Sequence, residues 1–475
     1  RLAMERRLED YYGPGRSICV YRGHELVPRS EILVADLAGV TPRTRAGHVT
    51  IDPEVGRIAF PARHVPEDGV YVTYSRLGIG AIGGGGFARP LRPAEHVYRV
   101  AERAIGAHRS VGAALKAWRD ASRTVPIHVA TIEIIDDGVY EERFEIELRP
   151  GERLEIRAAQ GRRPILIPAE TPGNRSDRLR VRGLREEATE GAEGSGETQE
   201  SSLHPPVLVL DGIWIARRPL ELSGHLGGVT LRHCTLVPAG GPPHAGSEQR
   251  RQAASLIVEA ERCPISVHSS VLGRIRVDSP ESGHDPIPLT VTDSILDASV
   301  PGGRALHGAD ERPAWVVLSL QRVTVLGGAH VHSAALVEDS ILTAPLECER
   351  RQRGTIRYSY IPVGSHTPRR SRCQPDDGLA AAEAAAAGQP AAERLLALDR
   401  ALHRLRPSFD NVAFGDPAYA RLASGAAPEL TAGAHDEGEL GAYHGLWQAL
   451  RLADLTTRLE EFTPAGADID IRFAS

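Results

Sequence analysis

LTVTDSILD, residues 289–297, is one copy of a pattern that the chain repeats. Alternating apolar residues are followed by a polar pair, a serine or threonine, two apolar residues and a turn. The pattern returns as VTLRHCTLV (229–237), ISVHSSVLG (265–273), LSLQRVTVLG (318–327), ALVEDSILT (335–343) and, more loosely, TIRYSYIPV (355–363). Period-two alternation marks each copy as a short strand with one buried face. The hydroxyl positions Thr235, Ser270, Ser294, Thr324, Ser340 and Ser359 are spaced 35, 24, 30, 16 and 19 residues apart. A degenerate repeat with loops of variable size predicts units stacked so that equivalent residues lie above one another. Leu231, Val267, Val291, Leu318 and Leu336 are then expected to point inward as aliphatic columns. A β-sandwich would account for the short strands, but not for the recurring Ser-Ile-Leu register.

Upstream, Ser110 can N-cap VGAALKAW, in which Val111, Ala114, Leu115 and Trp118 share a helical face. Short strands joined by Gly, Asp and Pro turns follow from Thr131 to Pro168, including a Gly-x-Tyr-x-Glu turn at Gly138, Tyr140 and Glu142. This order of helix, strand, turn and further strands resembles the opening of pectin-lyase-like proteins. The resemblance implies a mainly β chain built as a right-handed parallel β-helix. Its N-terminal cap helix would cover apolar side chains and strand edges that an end repeat otherwise exposes.

On this reading the β-helix with its cap occupies 93–375. Residues 17–75 alternate as short strands of a small antiparallel β module. The glycine-rich run Gly78–Gly86 lacks the Gly-Lys-Ser/Thr of a phosphate loop and reads as a hinge, so the first domain is 1–92. Residues 170–206 are polar and acidic, and read as a loop inserted into the repeats. The remainder, 376–475, reads as a helical tail. One helix carries Leu395, Leu398, Leu402 and Leu405. A second, from about Tyr443 to Glu461, carries Leu446, Leu450, Leu455, Leu459 and Phe462, and IDIRFA (469–474) reads as a last strand.

Composition bounds the function. The 475 residues are 41% hydrophobic and 25% charged with a net charge of −6, which gives no general reason to expect nucleic acid. No apolar run reaches the roughly eighteen residues that read as a membrane helix. Lys116 is the only lysine, and Asn174 and Asn411 are the only asparagines, a bias that reflects GC-rich codons and reads the arginines first as solubilising. The start at Arg1 reads as a piece of a longer protein, so the missing charged-then-apolar leader says little about export; the expectation is a cytoplasmic or particle-associated chain instead of a classically secreted one. Five scattered cysteines without CxxC spacing argue against a zinc site or disulfide framework and for buried free thiols.

Enzyme templates of this architecture find residue types but no assembled set. Asp293, Asp297 and Asp339, with Arg274 and Arg276, match a polysaccharide lyase in kind, yet aspartate at a turn commonly bonds its own backbone. The acidic doublets Asp136-Asp137 and Asp376-Asp377 lie near the two ends, away from the middle repeats where paired glycosidase carboxylates would sit. Glutamines are too sparse for an esterase. His330 and His332 stand two apart on one strand without a visible third metal ligand. No catalytic residue, metal or cofactor is therefore assigned.

The densest polar cluster is Glu349–Arg372. Arg350, Arg351, Arg357, Arg369, Arg370 and Arg372, with Arg353 between them, surround Tyr358 and Tyr360. Arginine forks beside aromatic faces suit anionic glycans, sulfate, phosphate or an acidic protein patch. Alternatively they pair with Glu347, Glu349, Asp376 and Asp377 and pin the last repeat to the tail. The stretches TAPLECERRQRG (343–354), RYSYIPVGSHTPRRSRCQPDD (357–377) and GELGAYHGLWQALRLADLTTRLEE (438–461) resemble β-helix proteins of bacterial phage-tail-like and contractile-injection gene clusters. That resemblance implies a non-catalytic scaffold or surface-recognition protein, with a polysaccharide or particle proteins as partners and without nucleic acid or membrane insertion. The alternative is a lyase or hydrolase acting on an anionic polysaccharide. The sequence leaves the oligomeric state open.

Overall fold

A computed structural model describes the chain except residues 1–3, 6–7, 14–17, 24, 38–43, 54–55, 62–65, 67–68, 75–79, 103, 170–177, 186–203, 238–252, 279–284, 417 and 465–475. Two compact units result, Arg1–Ile79 and Gly80–Ser475. In the first, Ile18–Arg22 pairs antiparallel with Glu25–Leu26 and with Val70–Tyr74. Ile32–Val34 runs parallel to Val49–Asp52, which pairs antiparallel with Arg57–Ala59. Met4, Tyr12, Val20, Val27, Ile32, Val49 and Ile51 form its core. The module is β as expected, with one parallel pairing that alternation alone does not reveal.

The second unit is mainly β, with parallel sheets of 18 and 8 strands. Its strands pair in parallel with the strand three places on. Val207–Asp211 pairs with Gly228–Arg232, then Ile265–His268, Ile287–Thr292 and Ala314–Gln321 in turn. Each such strand is followed by a short one of the eight-stranded sheet, such as Trp214–Ala216, Thr235–Val237, Val271–Leu272, Ile295–Asp297 or Thr324–Leu326. A third strand, such as Leu220–His225, Leu256–Arg262, Ile275–Val277 or Arg304–His307, completes the repeat. In-register parallel pairing stacks like on like, so Leu210, Leu231, Val267, Val291, Leu320, Val337 and Ile356 form one buried aliphatic column. Leu318 is buried two residues away from this column, and Leu336 faces outward, half-buried. Leu231, Val267 and Val291 therefore stand in one expected column and Leu318 in a second with Val229, Ile265 and Leu289, and the expectation is corrected at Leu336.

The register is set at a corner. His233, Ser269, Asp293, Arg322, Asp339, Tyr358 and Arg372 have φ between 45° and 54°, left-handed backbone that turns the chain between the first and second strands of a repeat. The next residues, Cys234, Ser270, Ser294, Val323, Ser340, Ser359 and Cys373, are buried. Ser270 Oγ accepts the Cys234 N–H at 3.0 Å, Ser294 Oγ that of Ser270 at 3.0 Å, Ser340 Oγ that of Val323 at 3.0 Å, and Ser359 Oγ that of Ser340 at 3.1 Å. The serine hydroxyls also donate to the carbonyl two residues back, at 2.6–2.8 Å. Each serine thus satisfies corner groups of two successive repeats that burial would otherwise leave unpaired. Thr235 and Thr324 stand one column further on, so the hydroxyl register read from sequence is shifted there by one residue.

Helix α1, Val111–Thr124, packs Val111, Ala114 and Trp118 inward, and Leu115 is half-buried. Ser110 Oγ accepts from Ala113 N at 3.0 Å. The two carboxylate oxygens of Glu142 accept from Val111 N and Gly112 N at 2.8 Å each. The Gly-x-Tyr-x-Glu turn therefore closes the positive end of the helix beside it.

At the other end come α2, Asp376–Ala385, and α3, Ala391–Leu405. Leu405, Leu422, Leu430 and Leu440 then pack on Ile341 and Tyr360 of the last repeats. Helix α4, Gln448–Glu460, starts later than expected because Trp447 adopts φ 51° and separates it from a 3-10 turn at His444–Leu446. Its Leu450, Leu455 and Leu459 are exposed. The expected strand 469–474 lies outside the described residues.

Two further expectations change. Leu179–Gly183, within the segment read as a loop, is a strand paired to Glu145–Leu148 and Leu220–His225, while 170–177 and 186–203 lie outside the described residues. The glycines read as a hinge lie against the repeats from Gly83 onward. Gly83 N donates to Ser269 O at 2.7 Å and Gly84 N to Thr235 Oγ1 at 2.8 Å. A Cβ on Gly83 would stand 2.6 Å from Thr235 Oγ1, so close approach is what calls for glycine there.

Candidate anion-recognition surface

The outward face of the first strands carries a continuous polar column. In register, Arg99, Glu133, Arg157, Asp211, Arg232, His268, Thr292, Gln321, Glu338, Arg357 and Ser371 lie one above the next. Stacking at strand spacing would set like charges side by side, and here the signs alternate instead. Arg157 meets Glu133 at 2.8 Å, Arg232 meets Asp211 at 3.1 Å, and Arg357 meets Glu338 at 2.6 Å. His268 Nδ1 and Thr292 Oγ1 are 2.6 Å apart, and Gln321 Nε2 donates to Glu338 Oε2 at 3.3 Å. Two arginines elsewhere on the repeats are likewise matched: Arg322 binds Asp293 through the Nε and Nη2 N–H groups at 2.6 and 3.0 Å, and Arg304 meets Glu347 at 2.8 Å.

Against that neutralised background the arginine cluster divides. Arg357 belongs to the column. Arg370 is half-buried, donating to Thr367 Oγ1 and Ser365 O at 2.9 Å each and meeting Asp376 at 3.2 Å. It pins the last repeat to the start of α2. Tyr360 is 6% exposed and packs with Ile341, Leu405 and Leu430, so its ring is withdrawn from the surface on which sequence reading placed it. Tyr358 occupies a corner, its ring 6.4 Å from that of His435. Arg350, Arg351, Arg353, Arg369 and Arg372 are exposed, and none has an acidic partner within salt-bridge distance among the described residues. Arg369 stands in register with Thr355 and Leu336, at the end of a stripe of small polar residues, Thr230, Ser266, Thr290 and Ser319.

The carboxylates considered for catalysis, Asp377 apart, are committed locally, Asp376 to Arg370. Asp293 holds Arg322. Asp297 accepts the Tyr419 hydroxyl at 2.6 Å and Ser299 N at 2.6 Å, and burial raises its pKa. Asp339 accepts His435 N at 2.9 Å and meets His435 Nδ1 at 2.6 Å, which raises the imidazole pKa. Arg274 and Arg276 lie on third strands or their approach, and pair with Glu311 and Glu259. They are not brought to the corner aspartates. Asp136 accepts the Tyr140 hydroxyl and Glu102 N, and Asp137 accepts from Arg162 and Arg163 N. His330 meets Glu349 at 3.0 Å, whereas His332 packs on Trp315 with ring centres 4.4 Å apart.

Sequence reading missed one grouping. Glu338, Asp339 and His435 offer three ligand atoms within 4.8 Å of one another. Arg357 already holds Glu338 and His435 already holds Asp339, so the cluster is internally satisfied. No local spacing announces it, because His435 arrives from the tail. Among the described residues no helix is long and apolar enough to cross a membrane. Comparison with known proteins finds no matching family model, no matching curated protein and no matching solved structure.

Proposed function

We propose that residues 93–375 form a right-handed parallel β-helix of the pectin-lyase-like kind, serving as a non-catalytic scaffold that recognises an anionic glycan through the arginines of its last repeats. The observation that carries this reading is the contrast in pairing. The arginines of the outward column, Arg99, Arg157, Arg232 and Arg357, are matched by acids, whereas Arg350, Arg351, Arg353, Arg369 and Arg372 are exposed without one among the described residues. Unmatched guanidinium forks on a rigid frame present donors to carboxylate or sulfate groups at little ordering cost. The resemblance of this region to particle-associated β-helix proteins supports a place on a phage-tail-like assembly.

The test is binding and turnover together. Heparin and polygalacturonate are titrated against the protein by calorimetry, and the same mixtures are screened for new reducing ends and unsaturated products with and without calcium. Saturable binding without products is expected. Arg351→Ala and Arg369→Ala should each weaken it roughly fivefold, about 1 kcal/mol for an exposed charge contact. Robust turnover, or binding unchanged in the double variant, overturns the proposal.

A further inference from the structure

A groove of about 690 Å³ lies beside α1, at the opposite end of the repeats from the arginines above. Gly112, Leu115, Lys116, Arg119 and Arg123, spaced along one face of the helix, form one wall. The Glu145–Leu148 strand with Arg149, and the Leu179–Gly183 strand with Leu184, form the other. Seven basic and two acidic side chains line it in a chain whose net charge is −6.

Part of this charge is spent within the protein. Arg119 meets Glu152 at 2.5 Å, Arg143 meets Glu145 at 2.6 Å, Arg123 meets Asp120 at 3.1 Å and Arg180 meets Glu221 at 2.9 Å. Lys116, Arg149 and Arg182 have no acidic partner within salt-bridge distance among the described residues. They stand on three separate segments: the helix, the turn after one strand, and the next strand. Cations spread in this way address charges distributed along a ligand and not one convergent anion.

We infer that this groove is a second binding site, separate from the terminal arginines, for a single chain of an anionic glycan. The lining distinguishes that occupant by its chemistry. It contains no aromatic ring, so it lacks the platform on which single-stranded nucleic acid stacks its bases. Leu115 and Leu184 offer apolar contact to a sugar face. Glu145 and Glu147 would repel a ligand that is anionic throughout, but they accept hydrogen bonds from hydroxyl groups. A glycan bearing carboxylates or sulfates alone supplies both the anions and the hydroxyl donors that this mixed lining matches.

Lys116 is the only lysine of the chain, so an amine-selective reagent reports on the groove at one side chain. The full chain is acetylated with a water-soluble succinimidyl ester, and Lys116 modification is timed by peptide mass spectrometry. Polygalacturonate and heparin serve as probes, dextran as the uncharged control and polyglutamate as the acidic peptide control. At least one anionic glycan is expected to slow Lys116 acetylation roughly fivefold or more, a change of about 1 kcal/mol or above. Dextran and polyglutamate should leave the rate unchanged. Protection should vanish in Arg149→Ala/Arg182→Ala, whose circular dichroism verifies the fold, and persist in Arg351→Ala/Arg369→Ala. Equal acetylation with and without both anionic glycans overturns the inference, as does protection retained in the first double variant. Loss of protection in the second variant would merge the two sites and also overturn it. Equal protection by polyglutamate would reassign the groove to acidic peptides.

Discussion

The guanidinium of Arg89 meets the carboxylate of Asp211 at 3.2 Å, with the two side chains 0% and 4% exposed. Arg89 follows the glycine-rich run, and its Nη2 also donates to Ala158 O at 2.8 Å. Gly212 beside Asp211 has φ 73°, and a Cβ there would stand 2.4 Å from the guanidinium carbon. The segment after Gly83 is thus fastened over the outer face of the early repeats. Removing one partner leaves the other charge buried, a loss of about 3–5 kcal/mol. Asp211→Ala should lower stability to chemical denaturation by that amount. Replacing both residues with apolar ones of similar volume should recover most of it. A double variant as unstable as Asp211→Ala would show that the pair does not act as a unit.

What the sequence shows of this fold, and what it hides, follows from the range of the interactions. The repeats are legible because parallel in-register pairing needs the same alternation in every copy. The hydroxyl register is legible only in part, since Cys234, Val323 and Cys373 occupy the serine column while Thr235 and Thr324 imitate it one residue along. Leu179–Gly183 escapes notice because LRVRG offers two apolar positions between polar tracts. The arginine cluster can be read as a composition, but its division cannot. The burial of Tyr360 depends on Leu405 and Leu430, and the state of Arg357 on Glu338 in the neighbouring repeat.

The serine column makes a graded prediction. Ser340 is fully buried, accepts the Val323 N–H at 3.0 Å and donates to Glu338 O at 2.7 Å. Ser340→Ala leaves both groups without that partner and should cost about 1–3 kcal/mol. Cysteine already holds the same column at Cys234, whose Sγ meets Arg232 O at 3.2 Å and is bonded by the Ile213 backbone. Ser340→Cys should therefore cost clearly less than Ser340→Ala in urea titrations. The reverse order would mean that the hydroxyl column does not carry the corner.

Glu142 should matter through α1 alone. Its carboxylate pairs with two N–H groups at the helix start, where a negative charge is favoured by about 0.3–1 kcal/mol and a side-chain cap by about 1 kcal/mol. Glu142→Ala should reduce stability by about 1–2 kcal/mol and speed amide exchange at Val111 and Gly112. Exchange that stays slow at both amides would contradict this capping role.

Stability should also carry a pH signature from Glu439. This residue is 5% exposed, its Oε1 lacks a hydrogen-bond partner among the described residues, and burial raises its carboxyl pKa from 4.5 to about 7. The folded chain then retains a proton that the unfolded chain releases, so stability falls as pH rises from about 4.5 to 7. The full effect is on the order of 3 kcal/mol at about 1.4 kcal/mol per pKa unit, reduced by whatever solvent reaches the carboxylate once it ionises. Asp297 and His435, whose pKa values are also raised, and His233, His268, His307 and His332, whose values burial lowers, titrate alike in wild type and variant, so the difference between the two proteins isolates Glu439. Denaturation of wild type and Glu439→Gln across pH 4–8 should give curves that diverge from about pH 4.5 to 7, with the glutamine variant gaining relative to wild type as pH rises. Parallel curves would place the Glu439 carboxyl at an ordinary pKa.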